Sequence, residues 1–442
     1  MFNYLAFIRA GLTEPGASPA TDGNELATDC LQQLKDTGNP EQFPPRLLIL
    51  LTSPAYESAD ELGQMLIAIR QTFADYKTLV FTNTESEPTD VPLIGSSVEA
   101  VFFNRQVHDC GALLVCLASR MVEAQVCASR NLRNDHEHAT HALLEDLGLN
   151  YPNPQNANQK PLTGRLLMTF FPNIGRHEGS ESYLAPRLHQ LLLENSRTRI
   201  PIVGGASSRP GFQFHDGQVC HDEMVAAKIS SGAPFSSSFG HGLNETDQDL
   251  RVKDLADDGH TVLAFDQPGD PAQILGLKHG SGFGLLSELS LGHDPMVTVA
   301  EATTDGKSVT LLRKIKRNAL FRRLAIGSPE HVRSEAKRMF ENSLKWWMLE
   351  RPIGCLAIHC SSRRRSGVPF QEIVTDAEEV LRRENTRYAL KGRDLYFGGY
   401  FDGEAGMDES GRPLFGNWCL ATLCFSDEMD EMRERTPAHT GF

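Results

Sequence analysis

Three stretches of this chain repeat one order of apolar and polar positions. An apolar run runs into a polar segment, a helix-spaced apolar stripe follows, and a second apolar run ends in glycines or small polar residues. The first copy reads Leu47–Thr52, Ser53-Pro54-Ala55-Tyr56, a helix over about Ala59–Phe73, and Pro92-Leu93-Ile94-Gly95-Ser96-Ser97. The second reads Arg165–Phe171, a helix over about Tyr183–Leu193, and Pro201-Ile202-Val203-Gly204-Gly205-Ala206. The third reads Gly354–His359, the loop Cys360-Ser361-Ser362-Arg363, a helix over about Phe370–Arg382, and Leu395–Gly399. The pattern predicts an α/β fold with mixed β-sheets covered by helices, built from internal strand–helix–strand–hairpin repeats. It also predicts small-residue loops at corresponding strand ends, where α/β proteins build sites.

The first two copies agree in finer detail. Gln106-Val107-His108-Asp109 precedes the apolar run Ala112–Leu117, and Gln218-Val219-Cys220-His221-Asp222 precedes Met224–Ile229. A duplication therefore places Gly95 and Gly204 or Gly205 at equivalent positions; the third copy is looser. Phe212-Gln213-Phe214 and Val219-Cys220 flank Asp216-Gly217, a strong hairpin signal. Residues Gly11–Gly23 read as a loop, and Asn24–Leu34 as a helix. The polar, proline-bearing segment Asn150–Lys160 reads as a linker. From about Leu250 to Ile326 short strands alternate with Gly-rich turns. Ser328-Pro329-Glu330 then opens a long helix, with serine at the cap and proline in the first turn. The expected organisation is two tandem parts, 1–235 with two repeat copies and 236–428, joined near Gly232–Thr246 and followed by an acidic tail at 429–442.

Composition narrows the classes. The chain has 442 residues, 43 Lys plus Arg and 57 Asp plus Glu, a net charge of −14. That balance argues against nucleic-acid or anionic-membrane binding. No apolar run approaches the ~18 residues of a membrane span, and the N-terminus carries no secretory pattern, so a cytoplasmic location is expected. Nine cysteines occur without a CxxC pair; most, Cys110 among them, sit in or beside strand-like runs and read as reduced, buried thiols, not as a disulfide framework or a zinc site of the usual spacing. No cofactor or metal is expected. His138, His141 and Glu145 share one helix face opposite Leu143, Leu144 and Leu147, which predicts a solvated face rather than a metal site. The basic stretch Arg313–Arg323 is expected to form salt bridges with the many acids.

Ordered short motifs resemble the FIST family, with FIST-N and FIST-C parts in tandem. They are Leu48–Tyr56, Leu93–Glu99 and Pro201–Ala206 in the first part, and Val252–Ala272 at the junction. In the second part they are His359–Arg363, Gly398–Gly406 and Asn417. The chain departs from the family at Ser361-Ser362 with its arginine triplet, and at Tyr400-Phe401-Asp402-Gly403-Glu404. The resemblance implies an intracellular sensory module that binds a small polar metabolite, with an amino acid as the suggested ligand, and signals through an unidentified partner protein.

Within that frame, Cys360, Arg363, Gly403, Glu404 and Asn417 read as one polar ligand site. A guanidinium fork holds a carboxylate, and a carboxylate on a glycine-permitted loop holds an amine. Gly95, Ser96, Gly204 and Gly205 are candidates to offer backbone N–H groups to the ligand. Three alternatives stand beside this: a structural Arg363–Glu404 pair, a thiol-dependent hydrolase or transferase using Cys360, and a protein-interaction scaffold. His359 points away from Cys360 by strand alternation, so spacing places no base beside the thiol.

Overall fold

The computed structural model describes residues 7–16, 18–36, 43–80, 90–103, 106–120, 122–129, 132, 135–149, 164–172, 200–231, 235–277, 283–289, 296–311, 315–345, 352–365, 367, 370–387, 396–407, 413–416 and 418–426. The expected helix at Tyr183–Leu193, the linker Asn150–Lys160, Asn417 and the acidic tail lie outside these residues.

The chain runs through three units of one design. The first comprises β1 (Phe7–Thr13), α1 (Pro19–Lys35), β2 (Pro45–Thr52), α2 (Ala59–Val80), β3 (Leu93–Ser97), the hairpin β4 (Val101–Phe103) and β5 (Gln106–His108), and β6 (Ala112–Ala118). The second comprises β7 (Val122–Ala128), α3 (His136–Asp146), β8 (Gly164–Phe171), β9 (Ile202–Ala206), the hairpin β10 (Phe212–His215) and β11 (Gln218–His221), and β12 (Val225–Ser231). The third opens with β13 (Phe235–Gly240). An insertion then holds β14 (Leu243–Leu255), β15 (Thr261–Phe265), α4 (Pro271–Ile274), β16 (Phe283–Glu288), β17 (Met296–Ala302), β18 (Val309–Leu311) and β19 (Leu320–Ile326). The unit resumes with α5 (Pro329–Lys345), β20 (Pro352–Cys360), α6 (Ser361–Arg365), α7 (Phe370–Arg387), β21 (Tyr396–Phe401), the hairpin β22 (Glu404–Met407) and β23 (Pro413–Gly416), and β24 (Leu420–Ser426).

Each unit forms four neighbouring strands of a six-stranded mixed sheet and gives its hairpin to another unit's sheet. The orders are β1-β6-β2-β3-β10-β11, β7-β12-β8-β9-β22-β23 and β13-β24-β20-β21-β4-β5. The first unit's hairpin thus completes the third sheet, the second's the first, and the third's the second. This closes a pseudo-threefold ring. Three backbone hydrogen bonds repeat around it: Ser208 N to Ser97 O at 3.0 Å, Glu99 N to Tyr400 O at 2.8 Å and Asp402 N to Ala206 O at 3.0 Å.

The inner faces of the three sheets share one core. It holds Ile49, Leu51 and Ile94 from the first, Met168, Phe170 and Val203 from the second, and Ile358, Phe397 and Phe401 from the third. Phe170 and Phe401 stack across it with centroids 5.6 Å apart. Helices α1 and α2 cover the outer face of the first sheet over Leu48, Leu50 and Phe214. Leu143, Leu144 and Leu147 of α3 and its C-terminal end cover the second. Helices α5 and α7 cover the third over Cys355 and Ala357. On the opposite face of α3, His138 and Glu145 are exposed as expected, whereas His141 is half-buried.

The register explains the repeated glycine. Gly95, Gly204 and Gly398 stand opposite Leu50, Thr169 and Ala357 on the parallel neighbour. A Cβ there would lie 2.1, 1.7 and 1.8 Å from those carbonyl oxygens, respectively. Gly95 pairs with Phe214, Gly204 with Ala405 and Gly398 with Phe102 on the incoming hairpin. The same register makes Gln106-Val107-His108 equivalent to Gln218-Val219-Cys220, as the shared Gln-Val pair suggests.

Three local readings are corrected. Gly11–Gly23 is not a loop: it holds the end of β1 and the start of α1, whose cap is Ser18, accepting from Thr21 N at 3.2 Å. The expected loop Ser361–Arg363 is the short helix α6. Gly95, Ser96, Gly204 and Gly205 lie inside β3 and β9, not in open loops, so their N–H groups belong to sheet backbone. Residues from Leu243 to Ile326 form a closed six-stranded barrel, β14-β15-β18-β17-β16-β19, around Leu250, Val252, Leu286 and Phe321. Its first and last strands pair at Leu243 and Ile326, so the insertion leaves and re-enters the body at one place.

Candidate functional site

The third sheet ends where the barrel begins, and a buried polar cluster lies at that junction. Strand β20 delivers Cys360, whose N–H bonds the Cys419 carbonyl at 3.1 Å. The chain then turns into α6, which starts with Ser361 donating to Asp402 Oδ1 at 2.8 Å and places Arg363 under the sheet end. Strand β22 brings Glu404 opposite Gly205 of β9, and Gly403 O accepts from Ala206 N at 2.9 Å. Glu404 Oε2 accepts from Cys419 N at 3.0 Å. Cys360, Arg363, Glu404, Trp418 and Cys419 are each at most 1% exposed.

The fold therefore brings Cys360, Arg363, Gly403, Glu404, Gly204 and Gly205 into one region. Gly95 and Ser96 occupy the symmetry-related place in the first sheet, where Ser96 faces Gln213 across the strands. Gln213 and Val101 are the equivalents of Glu404 in the other units. Only the third unit carries a charge there.

Enclosure dominates the electrostatics, because low-dielectric surroundings penalise the ionised form of every group. Burial pushes the Glu404 carboxyl well up, against the opposing pull of the Cys419 N–H, Cys360 and Arg363. Burial also draws the Arg363 guanidinium down, although Cys419, Cys360 and Glu404 favour its charge. The Cys360 thiol is raised by burial first and by Glu404 second. It is held as a thiol rather than a nucleophilic thiolate. His359 lies on the other side of β20, as alternation requires. Its Nε2 is 2.9 Å from Tyr396 Oη among the rings of Phe102 and Phe370.

Sequence reasoning missed the wall that the barrel junction supplies. The turn Gly240-His241-Gly242 leads from β13 into β14, and Gly242, at φ +62°, lies against Glu335 and Arg363. Burial brings His241 down to about 4, with Glu245 opposing and Arg363 adding to the shift. His241 Nδ1 accepts from Leu243 N at 2.9 Å. The only sequence signal was the glycine on either side of the histidine. Tyr400 was also missed; its ring carries Arg364 at 5.7 Å, and its hydroxyl is buried without a hydrogen-bond partner among the described residues.

The basic stretch behaves as expected where it is described. Arg322 pairs with Asp249 and Glu245, both at 2.8 Å, and Arg317 with Asp254 at 3.0 Å. An open depression of the barrel wall is lined by Thr246, Asp247, Gln248, Asp249, Gln267 and Arg323, and by none of the expected site residues. Cys110 is exposed, contrary to its reading as a buried thiol. No helix among the described residues is long and apolar enough to cross a membrane.

These features define an α/β protein with a polar cluster at the join of a three-sheet body and an inserted barrel. Residues 62–267, from α2 to just beyond β15, match the model of the FIST N domain. The match supports a FIST domain over this stretch, a domain associated with signal transduction. No curated protein matches the chain.

Proposed function

We propose that this protein is a cytoplasmic sensor that binds a small polar metabolite, an amino acid or a similar zwitterion, and signals to a partner protein. Arg363 and Glu404 hold the two ends of the ligand, with Cys360, Gly403, Gly204 and Gly205 around them, and Asn417 is a further candidate ligand residue. The residues from 236 onward act as the FIST-C part of the tandem. The observation that carries this reading is that Arg363 and Glu404, at 1% and 0% exposure, converge where Gly240–Gly242 joins body to barrel. Opposite charges are costly to enclose and match the two ends of a zwitterion. A ligand at this junction biases the barrel relative to the body, and a partner reads that bias. Access requires the junction to open, which the glycines of the turn permit.

A second reading has its own observation. Glu404 accepts the Cys419 N–H, so the cluster also ties β22 to the start of β24. Thermal shift against amino acids, small carboxylates and nucleotides separates the two, run in parallel on Arg363→Ala. A ligand present at about 100 times its Kd adds about 2.7 kcal/mol of stability. For a binding site, the variant loses that shift while its own melting temperature changes little. For a structural tie, the variant melts far lower, by the 3–5 kcal/mol typical of a broken buried pair. No shift with any compound class, in protein that melts cooperatively, removes the sensor reading.

A further inference from the structure

We propose that His215, Cys220 and Glu223 form a binding site for a zinc-class divalent ion, with water as its fourth ligand. Each side chain offers one ligand atom, and the three atoms lie within 4.8 Å of one another. The donors are an imidazole nitrogen, a thiolate sulfur and a carboxylate oxygen. This mixed set suits Zn²⁺ and fits poorly to Mg²⁺ or Ca²⁺, which take oxygen ligands. Three protein ligands plus water is a familiar zinc arrangement.

The hairpin presents these groups in advance of any metal. Cys220 is the register partner of Gln213, and His215 lies two residues further along β10, so both project from one face as diagonal neighbours. Glu223 lies two residues beyond the end of β11. The connecting turn has both central residues at positive φ, 44° for Asp216 and 86° for Gly217. It is pinned to β3 by Asp216 N to Leu93 O at 3.0 Å and Leu93 N to Asp216 Oδ1 at 3.1 Å. Arg70 of α2 donates to the Asp216 carbonyl at 2.6 Å. A short chelate on a fixed turn loses little entropy when the ion binds.

The repeat itself does not require these residues. The equivalents of His215 and Cys220 are Phe103 and His108 in the first unit and Gly406 and Gly416 in the third. Only the second unit combines the ligands. Sequence spacing conceals the set, because it is neither a CxxC pair nor a histidine pair. Without metal, burial and the neighbouring Glu223 hold Cys220 as a thiol. Binding transfers that proton to the buffer and leaves thiolate, carboxylate and neutral imidazole on the ion.

The test uses the full chain, freed of metal by chelator, with Zn²⁺ and then Co²⁺ as probes. Expected are one Zn²⁺ bound at this site and a thiolate-to-cobalt absorption band with Co²⁺. Cys220→Ser should abolish the band. His215→Ala and Glu223→Gln should each weaken Zn²⁺ binding at least about 100-fold, the upper end of what an outer-sphere partner alone contributes. His138→Ala/His141→Ala should leave both readouts unchanged. Melting of each variant in chelator confirms that it folds, and Glu223→Gln, at a half-buried position, serves if Cys220→Ser does not. Absence of the cobalt band in the folded wild type, or undiminished Zn²⁺ affinity in folded Cys220→Ser and Glu223→Gln, overturns the proposal.

Discussion

At the residue scale, the chain uses small side chains to let backbones approach, and those positions should be the least tolerant of change. Gly95 and Gly398 have no room for a methyl group, because the obstructing atom is a backbone oxygen that cannot rotate away. Gly95→Ala and Gly398→Ala should each cost about 3 kcal/mol or more, at or beyond the top of the usual overpacking range. Gly63 in α2 has nothing within 4 Å of its would-be Cβ. Gly63→Ala should instead add about 0.5–1 kcal/mol by helix propensity. Urea unfolding of the three variants checks both signs, and a neutral Gly95→Ala would refute the register described for β2 and β3.

Cysteine chemistry at this scale follows exposure. Cys110 is exposed and Cys360 is enclosed with its thiol held protonated. Thiol labelling followed by mass spectrometry should therefore modify Cys110 early and Cys360 only on unfolding. Rapid, selective labelling of Cys360 in the folded protein would restore the thiol-enzyme alternative. The sequence made Cys360, Arg363 and Glu404 legible as strand-end polar residues, because the apolar runs before them are unambiguous. Their near-complete burial was not legible, since it draws on the turn at Gly242, which lies against Arg363 from a distant part of the chain, and no local pattern encodes such a contact.

At the scale of elements, the periodic segments were the legible ones. The helices starting at Ala59 and Phe370 and the hairpin around Asp216-Gly217 stand where apolar spacing and turn chemistry put them. Helix α5 starts as its Ser-Pro signal suggests, with His331 N bonded to Ser328 Oγ at 3.2 Å. Pairing between helices was not legible. Arg333 on α5 donates to Asp376 on α7, with Nη2 to Oδ1 at 2.8 Å, and to Glu372 at 2.8 Å. Asp376 is 5% exposed, and its carboxyl is held below the usual range chiefly by the Arg333 hydrogen bonds, with burial opposing. A carboxylate with a depressed folded pKa contributes stability that is present above its unfolded pKa of about 3.9 and is lost as pH falls through the folded value. The stability difference between wild type and Asp376→Asn should therefore stay level near neutral pH and shrink at acid pH below about 4. Denaturant titrations at a series of pH values test this, and a difference that grows toward acid pH would mean that Arg333 does not hold the carboxylate.

At the scale of the whole molecule, the exchange of hairpins makes each sheet depend on a distant part of the chain. Three repeats were legible in the sequence because each carries the same strand, helix and glycine order. Which sheet receives each hairpin was not, because β-pairing partners are chosen by tertiary closure rather than by local pattern. This bears on whether residues 1–235 fold alone. In such a fragment β9 loses its partner β22, leaving an open strand edge. The hairpin β4–β5 loses β21, the strand that it joins in the third sheet. The shared core loses Leu356, Ile358, Phe397, Phe401 and Leu423, so the inner faces around Phe170 and Ile94 meet water. An open edge beside exposed apolar surface is a template for association. Expressed alone, 1–235 should therefore aggregate or form oligomers, and co-expression with 236–442 should return a soluble one-to-one complex. Size-exclusion chromatography with light scattering distinguishes these states. A monomeric 1–235 that melts cooperatively would show that the first two units close on themselves, and that hairpin exchange is a late docking step rather than the condition for folding.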